Sequence, residues 1–519
     1  MSLAALASLA LYGLEAFPVR VEVHVGPGLP AFHIVGLPDT GVRESRERVR
    51  SAIISSGLEF PAGRITANLA PADLPKDSGR FDLPIALGVL LASGQIELRR
   101  GGADGGPDVD LSSYVFAGEL SLTGAVVSVN APLAIAMAVM RSKSTVRLIL
   151  PAACAGVAAR VPGLTVLSAN RLLDVVAHFS GKASLPIALP QAMSAAVSSA
   201  PCLSEVRGQA MARRVLEIAA AGGHSLLMAG PPGAGKSMLA HRLPGLLPRL
   251  SAEQALEVAA LSSISGRDYT VSDLPPFRAP HHCASAPALV GGGALPRPGE
   301  ISMAHHGILF LDELPEFDRR VLESLREPIE TGYISIARAS RTLTFPAAFQ
   351  LIAAMNPCPC GWLGHRKMRC ACGTDRIEKY RDKISGPLLD RIDLQIALPA
   401  VDGDWFDAPL GEASTLVRKR VERCRSRQLA RQALPNAKLG VGDLERYCVL
   451  DAEAKNLLKQ AMSRWSWSAR VVHRVLRVAR TLADLNELDT LGVAEIAEAI
   501  QYRQPWASRP GLQYEGRGK

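Results

Sequence analysis

The chain has 519 residues, more than one ordinary hydrophobic core accommodates, so two to four domains are expected. With 48% hydrophobic and 21% charged residues it reads as soluble and globular, and 58 Lys and Arg against 49 Asp and Glu leave a net charge of +9. That balance permits an acidic partner such as nucleic acid without requiring one. The longest apolar stretches, 83–91 and 131–140, fall short of membrane-spanning length and read as buried helices. The start has no basic residue ahead of its apolar run, which argues against a secretory signal. Nine cysteines in such a chain point to thiols or metal in a reducing compartment, with the cytoplasm as the expected location.

Residues 1–181 alternate strand-like runs (19–25, 31–35, 64–69) with helical ones (42–55, 83–92), which predicts an α+β domain. Residues 182–203, rich in Ala, Ser and Pro, read as a linker. Residues 204–404 alternate short apolar strands with helices in the α/β manner, 405–510 are helical in period, and 511–519 form a polar tail.

Within the α/β region, Gly230, Pro231, Pro232, Gly233, Ala234, Gly235, Lys236 and Ser237 fit the phosphate-loop pattern GxxxxGK[ST], between an apolar strand (225–229) and a helical run (238–243). Such a loop wraps phosphates with backbone N–H groups, aims a helix N-terminus at their charge, and brings Lys236 to the β and γ phosphates. Ser237 offers its hydroxyl to Mg²⁺. Downstream, four apolar residues, 308–311, end in Asp312 and Glu313. A buried strand delivering that acid pair lets Asp312 hold hydrated Mg²⁺ and Glu313 polarise the attacking water. A third apolar run, 351–355, ends in Asn356, which can hold that water if its strand lies beside the Asp312 strand.

Directly after Asn356 stand two tight pairs, Cys358 with Cys360 and Cys370 with Cys372, among glycines that permit the turns needed to converge them. Four thiolates predict a structural Zn²⁺ site, with His365 as a reserve ligand and free thiols or a labile redox pair as the alternative.

These residues, with the runs at 35–39, 68–73, 81–87, 279–282, 297–302, 356–361 and 385–393, resemble the AAA+ ATPases, and more narrowly the magnesium-chelatase-like group that includes the YifB and ComM proteins. The resemblance covers nearly the whole chain. It implies a homo-oligomeric ring, usually a hexamer, with ATP and Mg²⁺ bound between subunits. Arg391 matches the arginine finger that reaches a neighbour's γ-phosphate, and Arg470 matches the lid arginine called sensor 2, with Arg474 one helical turn away as its rival. The metal clip then lies between Asn356 and Arg391, where it can fix their spacing.

The resemblance further implies a Lon-protease-like (S5-like) fold for residues 1–181, a central AAA+ domain with a parallel sheet for 204–404, and a helical magnesium-chelatase-type lid for 405–510. The first of these departs from an active protease: Arg80 stands at the place of the nucleophilic serine and Leu133 where the dyad lysine is expected, with Ser78 as rival only under another register. Proteolysis is therefore disfavoured.

The run 333–345 alternates like a β-hairpin with Arg338 and Arg341 near its tip, resembling the pore hairpin of replicative-helicase AAA+ modules, and 279–293 resembles the second pore insertion. The two arginines are the candidate DNA contacts. Three functions compete: a ComM-like DNA motor promoting branch migration during homologous recombination of incoming DNA, a protein-remodelling motor like the magnesium-chelatase motor subunit, and, least favoured, an ATP-dependent protease.

Overall fold

The computed structural model describes residues 3–36, 40–72, 74, 76, 79–99, 109–142, 146–191, 200–266, 271–293, 297–337, 342–365, 367–400 and 408–503. The chain divides into two compact units, residues 1–194 with 259–271 and residues 195–258 with 272–519.

In the first unit, alternation of buried and exposed side chains marks strands with one face on a core: Val19, Val21 and Val23 are buried while Arg20 and His24 are exposed. The strands are β1 (Leu3–Tyr12), β2 (Glu15–Gly26), β3 (Ala31–Val35), β4 (Arg64–Ala70), β5 (Tyr114–Phe116), β6 (Glu119–Leu120), β7 (Val126–Val127), β8 (Arg147–Pro151) and β9 (Thr165–Ala169). Seven form a mixed sheet in the order β3-β4-β2-β1-β5-β8-β9, and β6 pairs with β7. The helix Asp82–Ala92 is buried along its entire length and packs on β1 and β2. The segment expected as a linker starts bound to this unit: Ser168 N–H donates to Pro186 O, and Ala188 N–H to Val166 O, so backbone pairing with β9 holds its first part.

The second unit contains β10 (Leu226–Ala229), β11 (Phe277–Arg278), β12 (Gly291–Gly292), β13 (Arg297–Pro298), β14 (Ile308–Leu311), β15 (Tyr333–Ala337), β16 (Thr342–Pro346), β17 (Gln350–Met355) and β18 (Leu394–Ala397). Five form an all-parallel sheet in the order β11-β14-β17-β10-β18. Every residue of β10, β14 and β17 is buried, which is why these runs are continuously apolar and not alternating. The architecture is thus α/β and multidomain, with a helical C-terminal region.

That region comprises the helices Ser414–Gln432, Val441–Tyr447, Ala452–Trp465, Ala469–Leu485 and Val493–Gln501. Its apolar residues share one core with the parallel sheet, so the helices are packed onto the α/β body. Arginines of the helix Ser414–Gln432 find partners both on that body and within the helical region. Arg420 pairs with Glu217 and Glu412, Arg425 donates to Ala220 O, Arg423 pairs with Glu487 and Arg427 with Asp489. A basic run that looks fit for nucleic acid is largely occupied by intramolecular partners.

Candidate functional site

Because the sheet is parallel, the chain leaves β10, β14 and β17 on one edge, and the residues that follow these strands converge there. Gly235, at φ +83, turns the chain into the helix Lys236–Ala240. Lys236 is buried; its Nζ donates to Gly230 O at 2.7 Å, Pro231 O at 2.9 Å and Asn356 Oδ1 at 3.1 Å. Burial lowers its pKa, and the charges of Asp312 and Glu313 oppose that shift. Ser237 Oγ donates to Asp312 Oδ2 at 2.6 Å. β14 pairs with β17, so the condition set for Asn356, a strand beside that of Asp312, is met.

Glu313 follows Asp312 in a left-handed conformation, φ +54, unusual for a residue with a side chain. Its Oε2 lies 3.2 Å from His282 Nδ1. His282 belongs to the turn after β11, and with His241, His281, Phe310, Asp312 and Glu313 it lines a cavity of about 330 Å³ beside the acid pair. In the sequence it sits in an insertion with no sign of contact to Glu313; only β11 pairing alongside β14 brings them together.

The two arginines lie elsewhere. Arg391 precedes β18, on the opposite edge of the sheet from the phosphate loop. Its side chain is 10% exposed, with Nη1 donating to Pro387 O, Nη2 3.0 Å from Glu330 Oε1, and a buried Nε without a partner among the described residues. Arg391, Arg470, His473, Arg474, Lys438 and Glu330 line one cavity of about 250 Å³ at that edge. Of the two rival lid arginines, Arg474 is committed: its Nη1 is 2.8 Å from Asp393 Oδ1, and the same carboxylate accepts from Ser225 N–H and Oγ–H, each at 3.0 Å. Arg470 is exposed.

The four cysteines converge. Sγ separations are 3.4 Å for Cys358–Cys360 and 3.6 Å for Cys358–Cys370 and Cys360–Cys370, and all four sulfurs lie within 4.8 Å of one another. A tetrahedral zinc with Zn–S of about 2.3 Å needs sulfurs about 3.8 Å apart, so the donor set fits that ion. Burial and its thiol neighbours push Cys358 up to about 12, whereas at Cys360 burial is outweighed by N–H donors from Trp362 and Ala371, and the pKa falls to about 6. Gly361 packs on the phosphate loop: a Cβ there would sit 2.6 Å from Pro232 Cδ. The clip therefore touches the phosphate loop directly, a contact that sequence spacing does not reveal. A second His-rich group behaves differently. His305 Nδ1 accepts from Ala348 N–H, which puts its proton on Nε2, facing Glu257, and leaves no lone pair for a metal.

β15 and β16 form a two-stranded antiparallel hairpin with Ile334, Ile336, Leu343 and Phe345 buried on one face. Arg338 and Arg341 lie outside the described residues, as does Ser78. Arg80 and Leu133, at the places of the protease dyad, are both buried.

A phosphate loop after β10, an acid pair after β14, a polar tip on β17 between them and arginines at the opposite strand ends define the nucleotide-binding module of AAA+ ATPases. Residues 202–405 match the family model for magnesium chelatase, subunit ChlI, residues 21–154 that for subunit ChlI of Mg-chelatase, and residues 411–503 that for its C-terminal part. The chain is 45% identical to YifB of Escherichia coli over 508 residues, 97% of each chain. It is 43% identical to the competence protein ComM of Haemophilus influenzae over 511 residues, 97% of this chain and 98% of ComM. It belongs to the magnesium-chelatase-like AAA+ ATPases of the YifB and ComM family.

Proposed function

We propose that this protein is an ATP-driven, ring-forming motor that acts on DNA, with helicase or branch-migration activity in homologous recombination of incoming DNA. The observation that carries the ATPase part is the convergence of Lys236, Ser237, Asp312 and Asn356 at one sheet edge. ATP would supply the phosphoanhydride to be cleaved, and a bound Mg²⁺ would supply charge neutralisation. Gly230 to Gly235 would cradle the phosphates with backbone N–H groups, Lys236 would exchange the loop carbonyls for the β and γ oxygens, and Ser237 with Asp312 would hold the cation. Asn356 orients the attacking water and Glu313 draws its proton, after leaving His282.

Arg391 lies at the opposite strand ends from its own phosphate loop, and Arg470 lines the same cavity as Arg391. Both therefore serve a neighbour's nucleotide, which makes the ring, a hexamer by family resemblance, a condition of turnover. The cysteine clip holds structural zinc and steadies the phosphate loop through Gly361.

The DNA part is supported by the competence-protein relative, by the net charge of +9 and by the β15–β16 hairpin, between whose strands the sequence carries Arg338 and Arg341. Residues 1–181 serve as a Lon-protease-like scaffold without proteolysis, since Arg80 and Leu133 supply neither nucleophile nor base. Residues 204–404 are the motor and 405–510 the lid. ATPase rates with and without single-stranded, duplex and branched DNA test this reading. DNA stimulation is expected, and replacing Arg338 and Arg341 by Ala should lower the log–log salt slope of DNA binding by about 0.7–0.9 per lost contact. An ATPase indifferent to every DNA would favour protein remodelling, and casein cleavage would restore the protease.

A further inference from the structure

The helix Arg326–Thr331 occupies a position that its sequence does not announce. It ends at Gly332 and runs straight into the β15–β16 hairpin, and it touches three functional parts of the second unit. Toward the hairpin, Ser335 Oγ approaches Glu327 Oε1 at 3.5 Å, and Thr331 Oγ1 accepts from Tyr333 N–H at 3.1 Å. Toward the helical region, Lys438 Nζ donates to Ile329 O at 3.4 Å. Toward the far edge of the sheet, Glu330 Oε1 holds Arg391 Nη2 at 3.0 Å.

Arg391 is gripped incompletely at this position. Its Nη1 has the Pro387 carbonyl and its Nη2 has Glu330, but its Nε is buried with no acceptor among the described residues. A buried donor left unsatisfied is unfavourable, so the guanidinium has a reason to leave when a stronger acceptor, such as a phosphate, is offered. Glu330 is its one carboxylate partner among the described residues, and that side chain is 44% exposed, on a short helix whose next residues are the base of the hairpin.

We propose that Glu330 is a positioning residue for Arg391, and that the helix Arg326–Thr331 couples the hairpin to the arginine. With the hairpin at rest, Glu330 retains Arg391. A load on the hairpin shifts the helix, breaks the pair and frees the guanidinium for the neighbour's γ-phosphate. Substrate engagement in one subunit thereby accelerates hydrolysis in the next. This rests on the reading of Arg391 as a group that acts across the subunit interface.

The test compares steady-state ATPase of the full-length parent, E330Q, E330D, R391A and E330Q/R391A, each with and without single-stranded DNA. E330Q should raise the DNA-free kcat by about twofold to fivefold, the range a half-exposed ion pair spans. It should leave KM for ATP unchanged and shrink DNA stimulation by the same factor. E330D, which keeps the carboxylate, should stay within about twofold of the parent, and the double variant should be as inactive as R391A. A DNA-free kcat in E330Q equal to or below the parent's, with R391A inactive, overturns the coupling, as does an E330D that behaves like E330Q. If E330Q fails to assemble, E330D alone decides: a loss of DNA stimulation there also overturns it. Parental turnover in R391A overturns instead the trans-acting role of that arginine. A parent whose ATPase ignores DNA overturns the DNA reading and leaves the DNA-free comparison to decide the role of Glu330.

Discussion

Lys236 and Glu313 stand on the same sheet edge with opposite proposed roles, one holding charge and the other moving a proton. Lys236→Ala should abolish measurable nucleotide binding, whereas Glu313→Gln should bind ATP like the parent and hydrolyse it about 10²–10⁴-fold more slowly. Nucleotide titration and single-turnover hydrolysis separate the two. Asp393 is the structural counterpart on the other edge. Burial alone would raise its pKa, but Arg474 and His224 outweigh it and hold the carboxylate far below the ordinary range. A depressed folded pKa means stabilisation that is complete above the unfolded value of about 3.9 and is lost as pH falls below it. Asp393→Asn should therefore destabilise the second unit at pH 7 by about 3–5 kcal/mol, because Arg474 is left without its carboxylate. It should also flatten the acid-side loss of stability, and denaturant melts at pH 7 and pH 3 read both effects.

Among the elements, the cysteine clip is the one to which the structure adds a contact. Spacing in the chain suggests a device that sets the distance from Asn356 to Arg391. The fold places those two on opposite edges of the sheet and lays Gly361 of the clip on Pro232 of the phosphate loop. Protein purified under reducing conditions without chelator should carry about one zinc per chain by elemental analysis, and replacing any two of Cys358, Cys360, Cys370 and Cys372 should remove it. Removal should weaken ATP binding, since the loop loses its backing. Gly361→Ala should do the same with the zinc retained, because its φ of +82 and the 2.6 Å approach to Pro232 leave no room for a Cβ. A metal-free wild-type protein, or undiminished ATP affinity in Gly361→Ala, contradicts this account. The basic helix Ser414–Gln432 makes the complementary point: its charge is plain in sequence, and its partners Glu217, Glu412 and Glu487 are not.

For the whole molecule, the decisive separation is between the phosphate loop and Arg391. If each site is completed by a neighbour, Arg391→Ala rings should bind ATP and fail to hydrolyse it. Mixing them with Lys236→Ala subunits, which are inactive alone but carry an intact Arg391, should restore part of the activity. Mixed rings that stay inactive would place Arg391 in a structural role or within its own subunit.

The sequence by itself determined the chemistry that lies within one strand and its following turn. Gly230 to Ser237, Asp312 with Glu313, and the two cysteine pairs are local patterns, and a buried parallel strand is legible because both of its faces are apolar. Family resemblance added Arg391 and Arg470 but not the partners they keep within their own chain. Tertiary structure alone decided which of these local pieces meet: His282 with Glu313, Gly361 with Pro232, Glu330 with Arg391, and Arg474 committed to Asp393 while Arg470 stays exposed. The reason is strand order. Neighbours in β11-β14-β17-β10-β18 are not neighbours in the chain, so contacts across them depend on how the crossovers wind, which no spacing along the sequence encodes.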